Sequence, residues 1–285
     1  MTQPASDPEQ GRADRLTRKW WFILAYTFGL NMIPPMVTRW PAEQQFRLDR
    51  IYTHIFSNAI GPTPPSRMWV AFDILPILLV LALIAVGARV SRILSAYAAV
   101  TYVLFGLFQN VSVTERYGVG IVTCNVAWCL IIAGFWAWEA SVGLNDFAPR
   151  RRSLWQYWVV PFALFAFWVP IRYHHDTASF HFMPLAFLRD HTGLAFCLMT
   201  PVYLAILALY HPTVNPALMR VTGLAGIVVA FWNMVTAFVF THNWYHAVTH
   251  LPLTLLSIYA VVLSFRSLPP ADEPGHSQRR DSPQS

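Results

Sequence analysis

Long apolar runs of about 20 residues, separated by shorter polar stretches, dominate this chain. A helix rises about 1.5 Å per residue, so a run of roughly 20 spans the ~30 Å hydrocarbon core of a bilayer. Eight such runs can be marked, at 20–38, 69–88, 91–109, 118–138, 155–171, 193–211, 219–240 and 246–265. They predict an all-α fold: a polytopic integral membrane helix bundle of about eight transmembrane helices over 19–267. The polar, proline- and charge-rich ends, 1–18 and 268–285, are expected to be disordered tails. Pro34, Pro35, Pro76, Pro161, Pro170 and Pro201 lie in or near the runs and predict kinks.

A different rhythm occupies the stretch after the first run. Leu48, Ile51, Tyr52, Ile55, Phe56 and Ala59 recur at the i, i+3, i+4, i+7 spacing of one helix face, with Arg47, Arg50 and His54 opposite. This predicts an amphipathic helix at about 43–60, either flat on the outer bilayer surface or packed as a lid over the bundle. The GPTPPS that follows reads as a turn-rich connector.

Composition narrows the class. Hydrophobic residues make up 55% and charged residues 12%, with a mean hydropathy of +0.42. The charged share is about half that of a typical soluble domain. Too few charges remain to build a water-facing surface, which excludes a soluble enzyme, a disordered protein and a coiled coil. The net charge of +6 and pI near 9.5 do not mark a nucleic-acid binder. Cytoplasmic loops explain them, because basic residues concentrate there. With the N-terminus inside, the run Arg150-Arg151-Arg152 also falls inside, and both termini are expected to be cytoplasmic. The first apolar run lacks a small-residue cleavage site and is expected to stay as a signal-anchor, in a setting compatible with a bacterial inner membrane. Cys124, Cys129 and Cys197 all lie inside apolar runs and read as small buried hydrophobes.

Histidine carries the chemistry. On this topology eight of the ten histidines lie on the non-cytoplasmic side, most of them in RYHHDTASFHF (172–182) and THNWYHAVTH (241–250). His246 and His250 are four residues apart, which on a helix puts them on one face about 6 Å apart along the axis, close enough to share an ion. His242 is a further turn away. His174, His175 or Asp176 would supply the remaining ligand, with Asp176 alternatively orienting an imidazole. Neutral imidazole suits a transition metal or haem iron.

Asp73, four residues into the second run, is the deepest carboxylate and a catalytic or proton-handling candidate. Asn31, Asn125 and Asn233 should face the bundle interior as inter-helix glue. Glu139 reads as a solvated helix-end residue. The only lysine is Lys19, in the N-terminal segment, so a retinal protein is excluded; no phosphate-binding glycine motif appears.

Two stretches bear a likeness to known families. RYGVGIVTCNVAW (116–128) resembles the YG…NxxWE segment of integral membrane terpene cyclases of the meroterpenoid type. Where that family places its substrate-protonating carboxylate this chain has Cys129, and the segment falls in the fourth run rather than near the start, so the activity is not carried over. The HxxxH of His246 and His250 is similar to that of zinc-dependent ceramidase-like membrane hydrolases, whose Ser and Asp elements do not occur here in order.

Three functional classes follow. The first is a membrane-embedded metal-dependent enzyme or redox protein acting on a lipophilic small molecule. The second is a proton- or ion-coupled solute transporter with Asp73, Asn125 and Asn233 along its path. The third is a non-catalytic subunit that binds other membrane subunits. All three place the chain in the lipid bilayer, with no nucleic-acid partner.

Overall fold

The computed structural model describes residues 8–40, 48–61, 67–148, 153–169, 171–174, 177–180 and 192–266. The chain is mostly helical. In chain order the elements are α1 (Pro8–Thr17), α2 (Trp20–Leu24), β1 (Met36–Val37), α3 (Leu48–Ser57), α4 (Arg67–Val86), α5 (Ser91–Asn110), β2 (Val111–Thr114), β3 (Gly118–Ile121), α6 (Thr123–Val142), α7 (Val159–Trp168), β4 (Ile171–His174), β5 (Thr177–Phe180), α8 (Phe196–Tyr210), α9 (Pro216–Val235) and α10 (Trp244–Phe265).

Among the described residues, four apolar helical stretches are long enough to cross a membrane: Val70–Asn110, Thr123–Val142, Pro216–Phe240 and Trp244–Phe265. The first is not one rod. The Tyr97 hydroxyl donates to the Phe72 carbonyl at 3.1 Å, whereas 25 residues of straight helix would part them by about 37 Å. The reversal falls at a short 3₁₀ turn whose Gly87 has φ 58°, a left-handed conformation open to a residue without Cβ.

Other expected spans are shorter than their apolar runs. The stretches Leu154–Trp168 and Phe196–Tyr210 each rise only about 22 Å as helix, less than the ~30 Å core. The run at 20–38 departs furthest. Regular α-helix covers only Trp20–Leu24; a π-helical turn (Ala25–Gly29) and a 3₁₀ turn (Leu30–Met32) follow. Ile33 is extended because Pro34 disfavours helix at the residue before it. Met36 and Val37 then pair with β3 instead of continuing helix. The Trp128 indole donating to the Tyr26 carbonyl at 2.9 Å ties this distorted segment to α6.

The N-terminal segment also corrects its expectation. Pro8–Thr17 forms a helix, and the bundle holds it. Residues 268–285 lie outside the described residues.

Helices α5 and α6 form an antiparallel pair joined by the β2–β3 hairpin, in which Val111, Ser112, Val113 and Thr114 pair with Ile121, Gly120, Val119 and Gly118. Helix α3 lies over that hairpin. Its Ile51 and Ile55 are buried, and Ile55 packs so closely on Gly120 that a Cβ there would come within 2.9 Å. Of the 43–60 expectation, helix is present over Leu48–Ser57. Trp136, Tyr102, Phe105 and Tyr203 fill the core between α5, α6 and α8.

Helices α9 and α10 form the second antiparallel pair. Asn215 caps α9, with Pro216 at its first position, and Asn243 caps α10 by accepting from the Tyr245 and His246 amides. Gly223 and Gly226 let the two helices close in: a Cβ at 226 would strike the Ser257 side chain, and one at 223 would lie 2.8 Å from Val261.

Candidate functional site

Helix direction sorts the described histidines. Glu139, near the end of α6, bonds Asn215 at the start of α9, so the α6 start and its hairpin share an end of the bundle with the start of α10. His54, His242, His246 and His250 lie at that end; His211, between α8 and α9, lies at the other. Helix α7 begins beside Tyr259, low on α10, and runs toward the histidine end, so the backbone of His174 on β4 emerges there too. The side chain of His174, and all of His175 and Asp176, lie outside the described residues.

The structure brings His246 and His250 together. Their ring centroids are 4.3 Å apart on successive turns of α10, and both rings are half-buried. Hydrogen bonds fix each tautomer. The Asn233 amide nitrogen donates to the Val229 carbonyl at 2.8 Å, which turns its oxygen toward His246 Nε2 at 3.1 Å. That oxygen only accepts, so in the neutral ring His246 Nε2 carries the hydrogen and Nδ1 keeps its lone pair. His250 Nδ1 sits 2.8 Å from the His246 carbonyl oxygen, which also only accepts. The hydrogen of His250 is therefore on Nδ1, and its lone pair is on Nε2. Each imidazole is thus oriented through one nitrogen and basic at the other, the form in which histidine binds metal. Among the described residues no three His, Cys, Asp or Glu side chains gather in a metal-binding group. The pair offers two ligands.

Asp73 stands apart from them. It is buried on α4, and its carboxylate accepts from the Gly193 amide at 2.7 Å, which fastens the 192–194 turn to the helix. Asn125 donates to the Asn110 side-chain oxygen at 2.8 Å, joining α6 to α5. Asn31 accepts from the Trp232 indole at 3.1 Å. Asn125 thus joins two helices, as its position predicted, whereas the Asn31 bond lies on an exposed face of the bundle rather than in its interior. Asn233 does more, because it is also the partner of His246.

Two buried polar clusters at the opposite end escaped the sequence reading. Glu139 is fully buried, not solvated: its oxygens accept from the Asn145 amide at 2.6 Å and the Asn215 side chain at 3.0 Å. The Asn215 amide in turn donates to the Asn145 side chain at 2.7 Å. Nearby, the fully buried Arg220 pairs with Asp14 of α1 at 3.0 Å, donates to Thr17 and to the Ser264 carbonyl, and lies 4.5 Å above the Phe265 ring. Arg18 bonds Asp14 and the last carbonyls of α10. The two ends of the described chain therefore meet at one end of the bundle. An Asp–Arg pair four residues apart in 8–17 and its flank was the available signal for α1.

Comparison of the chain with protein-family models, with curated proteins and with solved structures finds no match.

Proposed function

We propose that this protein is a polytopic, membrane-embedded metal-dependent enzyme or redox protein that acts on a lipophilic substrate at the His246–His250 pair. The observation that carries the reading is the ring pair itself, 4.3 Å apart, with each tautomer set by a separate carbonyl oxygen. Two adjacent ligands on one helix face suit a single transition-metal ion better than a haem iron, whose protein ligands are axial. His246 Nδ1 and His250 Nε2 would bind the ion; His174, His175 or Asp176 would complete it, and an open position would polarise the substrate. Exposed Phe231, Trp232, Phe240 and Trp244 surround that end of the α9–α10 pair and suit a substrate arriving from the lipid. In this reading the histidine end faces away from the cytoplasm of a bacterial inner membrane, and the Arg220 end faces it.

The test is metal titration of detergent-purified, chelator-stripped protein with Zn²⁺ or Co²⁺. One equivalent should bind, and the His246→Ala, His250→Ala double variant should lose it while keeping its elution volume and helical signal. Equal binding by the folded double variant, or no stoichiometric binding by the wild type, rejects the site. Reporter fusions at 175 and 245 should both report the non-cytoplasmic side; opposite sides would remove the third ligand.

A further inference from the structure

A second feature lies at the histidine end, independent of the metal proposal. The polar face of α3 and the β2–β3 turn enclose an open cleft of about 450 Å³, whose lining includes Asp49, Arg50, Thr53, His54, Ser57 and Arg116. Arg50, Thr53, His54 and Ser57 follow the i, i+3, i+4, i+7 rule, so α3 turns one continuous polar stripe to the cleft. Arg116 enters from the opposite wall, its guanidinium carbon 5.5 Å from the centroid of the Tyr117 ring. His54 is fixed on the floor by Thr114 at 3.0 Å and by an edge contact with Tyr117 at 4.7 Å. Neither Arg50 nor Arg116 belongs to an ion pair with a described residue. Among the described residues, the lining carries two guanidinium charges against the single carboxylate of Asp49.

The other sides of α3 complete the picture. Ile51 and Ile55 are buried on the hairpin, while Leu48 and Phe56 remain exposed on the flank next to them. One short helix therefore offers a cationic, hydroxyl-bearing face and an apolar flank, the arrangement of a segment seated at a membrane boundary.

We infer that this cleft binds the phosphate of an anionic phosphate ester, with Arg50 and Arg116 gripping the oxygens and Thr53 and Ser57 donating hydroxyl hydrogen bonds. Guanidinium forks match phosphate oxygens, and two from facing walls hold one group better than either alone. The phosphate can be that of a lipid headgroup, its chains lying along Leu48 and Phe56, or that of a free phosphate compound.

Calorimetric titration of the full-length protein in maltoside micelles tests this, with dihexanoyl phosphatidic acid, inorganic phosphate and dihexanoylglycerol as separate probes. Saturable binding of phosphatidic acid is expected, weakened about tenfold or more by Arg50→Ala with Arg116→Ala. Dihexanoylglycerol should not saturate. Tight binding of phosphatidic acid with weak binding of inorganic phosphate identifies the lipid as the source; equal binding of the two identifies a free phosphate compound. Both arginines are exposed, and the Arg50→Lys, Arg116→Lys variant keeps the charge but loses the guanidinium forks, so its affinity should fall between those of the wild type and the double alanine variant. Unchanged affinity in the double alanine variant, or no saturable binding of either phosphate probe to the wild type, overturns the inference.

Discussion

Helix α9 carries a polar cluster at each end, and the two are built to opposite rules. At its start, Glu139 is fully buried and both of its oxygens accept hydrogen bonds, from the Asn145 amide and the Asn215 side chain. One turn further on, Arg220 is fully buried and locked to Asp14, Thr17 and Ser264. Near its other end, Asn233 holds only one nitrogen of a half-buried imidazole. A charge taken out of water must meet its partners in the fold or destabilise it. Rings that are oriented through one atom and basic at the other keep capacity for something from outside. The difference separates polar residues that fasten the bundle from those that equip it.

Breaking the fastening end should have the largest effect. Asp14→Ala leaves the Arg220 guanidinium buried without its carboxylate. Thr17 and Ser264 still hold it, so the expected loss is about 2–3 kcal/mol, below the 3–5 typical of a fully broken buried pair. Chemical denaturation in detergent measures it, and proteolysis near residue 18 should accelerate as α1 releases. Stability equal to the wild type would show that α1 does not depend on this clamp.

Overpacking the middle of α9 comes next. Gly226→Val forces a branched side chain against Ser257 and should cost about 1–3 kcal/mol. If the α9–α10 spacing also sets the histidine geometry, metal affinity should fall in the same variant; unaltered affinity would uncouple the two ends of the comparison.

At the equipping end, Asn233→Leu should cost about 1–2 kcal/mol of stability, the scale of its two side-chain hydrogen bonds, to the Val229 carbonyl and with His246. If the pair binds a metal as proposed, affinity for Zn²⁺ should fall about 10- to 100-fold, because nothing then fixes the His246 tautomer. Nitrogen chemical shifts of the His246 ring offer a direct readout: the Nε2–H form should dominate in the wild type and lose that dominance in the variant.

The smallest expected effect is on pH dependence. Burial lowers the pKa of His211, and the charge of Arg266 lowers it further. The folded state therefore binds this proton less readily than the unfolded chain does. Its stabilising contribution is present above the ordinary histidine value of about 6.5 and is lost as pH falls below it. His211→Gln should flatten that part of the stability curve; an unaltered slope would exclude this residue as its source.

Much of the helical scaffold was legible in the sequence because an apolar run announces its helix directly. Helices α4, α5, α9 and α10 stand where their runs lie, and α6 (Thr123–Val142) begins five residues inside its run. What periodicity does not encode is continuity. The 20–38 run is apolar enough to cross, yet Pro34 and Pro35 end its helix and the chain turns to pair with β3. The hairpin at 111–121 was hidden because β2 fills the gap after the third run and β3 (Gly118–Ile121) takes the first residues of the run at 118–138, though Val111-Ser112-Val113-Thr114 alternates as a strand should. Its positive-φ Gly118 fits the close of a short turn. Helix α1 and Glu139 were misread for one reason. Each looks solvated in isolation, and its burial is decided by residues about 70 to 200 positions away.

The histidine pair itself was readable, since four-residue spacing on a helix leaves little choice. The role of Asn233 was not, because it depends on how α9 and α10 are aligned along their lengths. That alignment has a modest origin. Where 223 and 226 present only hydrogen, the two rods mesh like a key cut to one depth, and the amide thirteen positions before His246 arrives level with the ring. A one-residue insertion in α10 between 246 and 257 would swing the imidazoles by roughly 100° around the rod. Both rings would still be present, in a protein whose teeth no longer fit its lock.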